Sequence, residues 1–270
     1  MNKSRLGRIV WGALLVGIAF CAVLAPWLSP YDPRQTDLAH PFTPPDAAHW
    51  LGTDHFGRDV LSQLVWGSRQ SLLSATFATV VALSVGIGIG VTAGGVGNTL
   101  DWVLMRGVDI LLALPSVLLA MVLVAMFGIG IAPVALGVGL SLAPLLCRVT
   151  RAAVLSVRGE VFIESARALG AGRWHIIRRH LMPNVTEQVV AFVVVTYAWS
   201  LLNVAALEYL GLAGSPSVPS WGRMLNEGRA YLGVAPWIAL SAGAVLTLTV
   251  LALMGYSDSG RSVRWSDVYK

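Results

Sequence analysis

Apolar runs of 16 to 25 residues recur along this chain: Ile9–Leu28, Leu72–Val96, Ile110–Phe127, Ile131–Leu146, Val189–Leu212 and Pro236–Met254. A bilayer core is crossed by about 20 helical residues. Lipid also offers backbone groups no partners, so each crossing must bond internally as a helix. The runs therefore predict an all-α polytopic membrane protein with about six transmembrane helices. The fourth run is the weakest, being short and interrupted by Pro133 and Pro144. Only 12% of residues are charged, about half the share of a soluble domain.

The first run follows Lys3, Arg5 and Arg8, as a signal peptide would. Its length and the five runs after it favour a retained span. Bulky Phe20 before Cys21 argues against lipoprotein processing. With the N-terminus inside, 14 of the 19 basic residues fall on the cytoplasmic side, including Arg106, Arg148, Arg151, Arg158, Arg167, Arg173, Arg178 and Arg179. The outside keeps Arg34, Arg58, Arg69, Arg223 and Arg229. That bias predicts both termini inside. It also accounts for the basic balance without nucleic acid. The expected layout is an inner tail (1–8), a first helix (9–28), an external segment (29–70), a transmembrane core (71–254) with an inner loop (150–186), and an inner tail (255–270).

Five prolines keep the external segment from forming long helix before His49. In Leu51-Gly-Thr-Asp-His-Phe-Gly-Arg-Asp59, Thr53 or Asp54 is expected to cap a helix starting near His55. A metal site on Asp54, His55 and Asp59 is the sharper alternative, but it lacks a second ligand cluster. Gly86, Gly90 and Gly94 share one helix face and suit close backbone approach in lipid. Asp101, Arg106 and Asp109 are expected to form an interfacial cluster. Pro115, Pro133 and Pro144 bend helices, either as packing kinks or along a pathway. Asn203 and Glu208 are the polar exceptions of the fifth span. They border a translocation path, or Glu208 pairs with Arg223 or Arg229. In the outer loop 211–235, Trp221–Tyr231 reads as an interfacial amphipathic helix or a contact for an external protein.

The loop between the fourth and fifth spans is polar, arginine-rich and helical in pattern. A helix over Glu160–Leu169 offers Ile163, Ala166 and Leu169 to one side, and Gly170 ends it. A second helix, Trp174–Leu181, has Trp174, Ile177 and Leu181 as its apolar stripe. Pro183 is expected to stop it, with Asn184 and Glu187 as a capping box for the fifth span. Such a hairpin suits either a groove on an acidic protein surface or anionic lipid.

The loop resembles the EAA loop of ABC-importer permeases, with Glu164, Ala166, Gly170 and Pro183 matching; Ser165, His180 and Met182 depart from it. Arg179–Asn184, Tyr31-Asp-Pro33, Leu51–Asp59 and Ser220-Trp-Gly-Arg-Met224 resemble the peptide and nickel subfamily (oligopeptide and dipeptide permease C type). The tail from Gly255 departs from that subfamily.

The resemblance implies a type I importer fold in a prokaryotic cytoplasmic membrane. It also implies a homologous permease, two ATP-binding subunits and an extracytoplasmic solute-binding protein as partners. Membrane lipid surrounds the complex. Glu164, Ala166, Arg167, Ala168, Leu169, Gly170, Ala171 and Pro183 would then meet the ATPase. Asp54, His55, Arg58, Asp59, Trp221 and Arg223 would be candidates for external contact, and Asn203 and Glu208 for the pathway. Di- or oligopeptides, or a nickel or metal-chelate solute, are the expected cargo.

No catalysis is expected of the chain itself. A P-loop needs a lysine after its glycine-rich turn, and the only lysines are Lys3 and Lys270. No cofactor or metal ligand set is expected either. Two other classes fit the apolar runs. An ion-coupled secondary transporter would show mid-membrane charges and an internal repeat; a non-transporting scaffold would use the loop only to recruit.

Overall fold

The computed structural model describes residues 3–212 and 218–268. The helices are α1 (Lys3–Val23), α2 (Ala25–Leu28), α3 (Val60–Val96), α4 (Asn98–Leu112), α5 (Ser116–Phe127), α6 (Ile131–Arg158), α7 (Val161–Ala168), α8 (Arg173–Ile176), α9 (Met182–Tyr209), α10 (Trp221–Arg229) and α11 (Pro236–Val268). A π-helical turn, Ile177–Leu181, joins α8 to α9. Among the described residues the only β pairing is an isolated bridge between Thr53 and Asp59.

Five helices are long and apolar enough to cross a membrane, and α4 with α5 forms a sixth candidate broken by a 94° bend. The third span, expected to bend at Pro115, is therefore corrected to a broken one. Pro115 is the cause: it disfavours helical backbone at Leu114 and starts a new helix at Ser116. The fourth run, weakest in sequence, is corrected in the other direction. It continues unbroken to Arg158 as α6, and 61% of its apolar window is buried, against 6% for α1. Pro133 falls in the first turn of α6, where no donor is needed.

Helices in lipid gain little from apolar burial against one another, so close backbone approach has to hold them. The glycine face of α3 provides it. A Cβ on Gly86 would lie 2.8 Å from the Ala143 carbonyl oxygen, on Gly90 2.7 Å from that of Cys147, and on Gly94 2.9 Å from the Val154 side chain. Gly139 on α6 meets the Ala78 carbonyl oxygen in the same way, at 2.6 Å. Gly88, on another face, meets nothing within 4 Å.

Residue numbers rise together along both helices in these contacts, so α3 and α6 run parallel and end on the same side. The broken α4–α5 pair must therefore return the chain across the bilayer once, which makes six crossings. Arg151 holds Asp101 through two 2.6 Å bonds, and Arg148 donates to Asp109 at 2.6 Å. These pairs tie α4 to α6.

The other contacts assign the remaining ends. Trp237 at the start of α11 donates to the Thr53 carbonyl at 3.1 Å, so α11 begins on the side of the 29–59 segment. A Cβ on Gly255 would strike the Trp11 indole, and the Arg8 guanidinium lies over the Tyr256 ring at 5.1 Å. The described ends of α1 and α11 therefore share the face that carries the 159–181 hairpin.

Candidate functional site

The hairpin begins where α6 ends. Gly159 and Glu160 turn the chain, and α7 follows for eight residues. Gly170 (φ 81°) then stops it in the left-handed conformation. Its N–H donates to the Arg167 carbonyl at 2.9 Å, and the Ala171 N–H to that of Ala166 at 3.0 Å. These two bonds form a Schellman stop. They place Glu164, Arg167, Ala168, Leu169 and Gly170 on an exposed tip, with Ala166 and Ala171 half-buried.

The expected apolar stripes are corrected. Ile163 is fully buried against Val154, Val157, Ile177, Leu181 and Val185. Leu169 instead stands 89% exposed, because the Schellman turn carries it past the last helical residue. In the second half Ile177 and Leu181 are buried, but Trp174 is 74% exposed and Ile176 takes the inward place.

Pro183 does not stop the second helix. It lies in the first turn of α9, and the preceding π turn is closed by the Met182 N–H, which bonds to the Ile177 carbonyl. Asn184 caps nothing: its side-chain amide donates to the His180 carbonyl at 2.7 Å. The Glu187 side chain lies outside the described residues. The hairpin is therefore continuous with α6 at one end and α9 at the other. Its root is pinned as well, because Arg158 donates to the Gly94 carbonyl at 3.0 Å.

On the opposite face the 29–59 segment folds over α10 and the start of α11. The expected helix cap moves from Thr53 or Asp54 to Asp59, which accepts from the Ser62 N–H at 2.7 Å and from His49 Nδ1 at 2.9 Å. Asp54 is occupied instead by its own turn. It accepts from the Phe56 and Arg58 N–H groups, from Arg58 Nε at 2.6 Å and from Gln63 at 2.8 Å. Arg58 also reaches Glu227 at 2.9 Å.

One atom each from Asp54, His55 and Glu227 could meet at a cation. Asp59 is not in this group, and the Arg58 guanidinium already satisfies both carboxylates. A third partner, Glu227, was not legible from the sequence; the lone arginine of the 51–59 string was the one hint that a carboxylate faces it.

Asp54, Asp59 and Trp221 are buried, which removes them as external contacts. Trp221 donates its indole N–H to the Leu64 carbonyl at 3.1 Å and its backbone N–H to Ser71. It is an anchor in the bundle, not an interfacial residue. His55 and Arg223 remain half-exposed, beside exposed Leu38, Trp50 and Phe56, which sequence reasoning passed over.

The two polar residues of the fifth span are buried and engaged. Ser116 at the α4–α5 break donates to Asn203 at 3.2 Å. Glu208 accepts from Ser71 Oγ and the Gly222 N–H, both at 3.3 Å. Arg229 donates to the Tyr209 hydroxyl. Residues 213–217 of the outer loop lie outside the described residues.

Two family models match. Residues 86–262 fit the binding-protein-dependent transport system inner membrane component, and residues 9–45 fit the N-terminal TM domain of oligopeptide transport permease C. The chain is an ABC-importer permease of the oligopeptide/dipeptide C type. The permease is 38% identical over 249 residues to the glutathione transport system permease protein GsiD of Pectobacterium atrosepticum, covering 92% of this chain and 82% of that one. It is 36% identical to the di/tripeptide transport system permease protein DppC of Pseudomonas aeruginosa, covering 96% and 87%. Its fold resembles that of the inward-facing MetNI methionine ABC transporter, at a TM-score of 0.63 and 20% identity, over 75% of this chain and 95% of that one. A permease of this family carries no ATPase; separate subunits hydrolyse ATP, and a second permease completes the membrane part.

Proposed function

We propose that the permease passes di- or oligopeptides, including short thiol peptides of the glutathione kind, into the cytoplasm, and that the 159–181 hairpin is where it receives force from the ATPase. The observation that carries this reading is Leu169. A large apolar side chain held 89% exposed on a capped tip needs a groove to enter. The root of the same hairpin is locked to α3 and α6, and its exit continues into α9. A pull on the tip then moves three membrane helices together.

Glu164, Arg167, Ala168, Gly170 and Ala171 shape the tip. Pro183 sets the π turn that orients it. The hairpin side is read as cytoplasmic, with both termini there, because the arginines cluster on it. An extracytoplasmic binding protein would then dock on the opposite cap around Leu38, Trp50, Phe56, His55 and Arg223.

Cargo of the nickel or metal-chelate kind is the second reading, and it rests on Asp54–His55. Arg58, bonded to both neighbouring carboxylates, weighs against it. Proteoliposomes holding the whole transporter separate the classes. Peptide uptake that requires ATP hydrolysis and ignores ion gradients is expected. Uptake that follows an ion gradient without ATP would indicate a secondary transporter, and no uptake with intact ATPase recruitment would indicate a scaffold.

A further inference from the structure

A cavity of about 360 Å³ lies between the end of α3, the end of α6 and the hairpin, lined by Gly95, Val96, Arg158, Arg167, Ile177 and Leu181 among others. That volume is in the range of small-ligand sites, about 300–1,000 Å³. Its lining is of two kinds. Val96, Ile177 and Leu181 supply apolar wall at the level where α3 ends, and Arg158 and Arg167 supply two guanidinium groups.

Arg158 is fixed in place. It donates to the Gly94 carbonyl at 3.0 Å, and a Cβ on Gly97 would lie 2.7 Å from its Nη1, so Gly97 leaves the room it occupies. Among the described residues, neither Arg158 nor Arg167 has a carboxylate within ion-pair distance. Their neighbours Arg148 and Arg151 are both paired, with Asp109 and Asp101.

We propose that this cavity binds the phosphate group of an anionic phospholipid. The two arginines would hold the headgroup through charge-assisted bonds, and the first methylenes would lie on half-buried Val96. Basic pockets between transmembrane helices are suited to such headgroups. The bound lipid would neutralise the unpaired cations and wedge the hairpin against α3. Arg167 also belongs to the tip proposed to meet the ATPase, whereas Arg158 lies at the root, so the labelling and the ATPase association of the Arg158 variant let the two readings fail separately.

The test uses the complete transporter in phosphatidylcholine nanodiscs carrying a photoactivatable phosphatidylglycerol or, in parallel, a photoactivatable phosphatidylcholine. Labelled peptides are mapped by mass spectrometry. The glycerol lipid is expected to label peptides covering 158–181, and the choline lipid is not. Arg158→Gln and Arg167→Gln are each expected to lower that labelling roughly five-fold, Arg167→Lys to restore most of it, and Arg178→Gln to leave it unchanged. Should Arg158→Gln fail to fold, the exposed Arg167 variants carry the test alone. Equal labelling by both lipids, or labelling indifferent to Arg167→Gln, would overturn the proposal. Displacement of the label by inorganic phosphate would assign the site to the free ion, and labelling seen only in permease stripped of its ATPase would assign it to a partner's acidic side chain. Either result also overturns the lipid site.

Discussion

Arg58 and Leu169 show two opposite uses of a single side chain. Arg58 is only 14% exposed and bridges two carboxylates, Asp54 and Glu227. Replacing one member of a buried pair leaves the other charge uncompensated, which costs about 3–5 kcal/mol. Arg58→Ala is accordingly expected to lower the melting temperature of the detergent-solubilised permease clearly; an unchanged melting curve would show that the outer cap does not need the bridge. Leu169 touches little. Leu169→Ala is expected to leave the melting curve in place but to weaken ATPase association about ten-fold or more, given about 1.5–3 kcal/mol for burying a leucine. Co-purification of the ATPase at graded dilution measures it.

At this scale the sequence revealed residue types more readily than their partners. Thr53 and Asp54 were readable as helix-capping residues, but the cap falls on Asp59, opposite Thr53 in an isolated bridge, and that is a tertiary contact. Trp221 looked interfacial because indoles often are. Only the fold shows its N–H turned to the Leu64 carbonyl.

Among the elements, the α3–α6 pair is the rigid unit, and the glycine pattern makes its face legible in the sequence. Four-residue spacing sufficed because a helix repeats its face at that interval. Gly90→Val would drive its Cβ into the Cys147 carbonyl and Thr150, both 2.7 Å away. Overpacking of that kind costs about 1–3 kcal/mol. Gly88→Val, on an open face, is the matched control and is expected to fall within about 0.5 kcal/mol of the parent. Thermal unfolding of the two variants side by side decides it, and equal losses would remove the glycine face from the account.

The π turn was not legible. Proline normally predicts a stop, and only the continuous row of buried Ile177, Leu181, Val185 and Val189 shows why the chain carries on. In a plain α-helix a four-residue spacing drifts by about 40° at each step, and a wider turn takes up part of that drift. Pro183→Ala is expected to let the turn tighten and rotate the tip. ATPase stimulation by substrate should fall while stability shifts by less than about 1 kcal/mol; unchanged stimulation would argue against the turn as an orienting device.

For the whole molecule, six crossings were readable from apolar run length, because lipid imposes that length on any helix. Pro115 marked a bend in the third, but not its size. Run length is blind to direction, and the 94° bend between α4 and α5 depends on a single proline and on the Asn203–Ser116 contact. Parallel α3 and α6 then force the broken pair to carry the chain back across. A hairpin on one face is joined through α6 and α9 to a cap on the other. In the function proposed above, the work of a separate ATPase enters through the tip.

Cysteine crosslinking from Leu169→Cys, in a permease whose Cys21 and Cys147 are replaced, tests that claim most directly. The account predicts a crosslink to the partner ATPase in the assembled transporter, and loss of ATP-driven uptake when the crosslink is made irreversible. A tip cysteine that never reaches the ATPase during turnover, while peptide uptake proceeds, would contradict it.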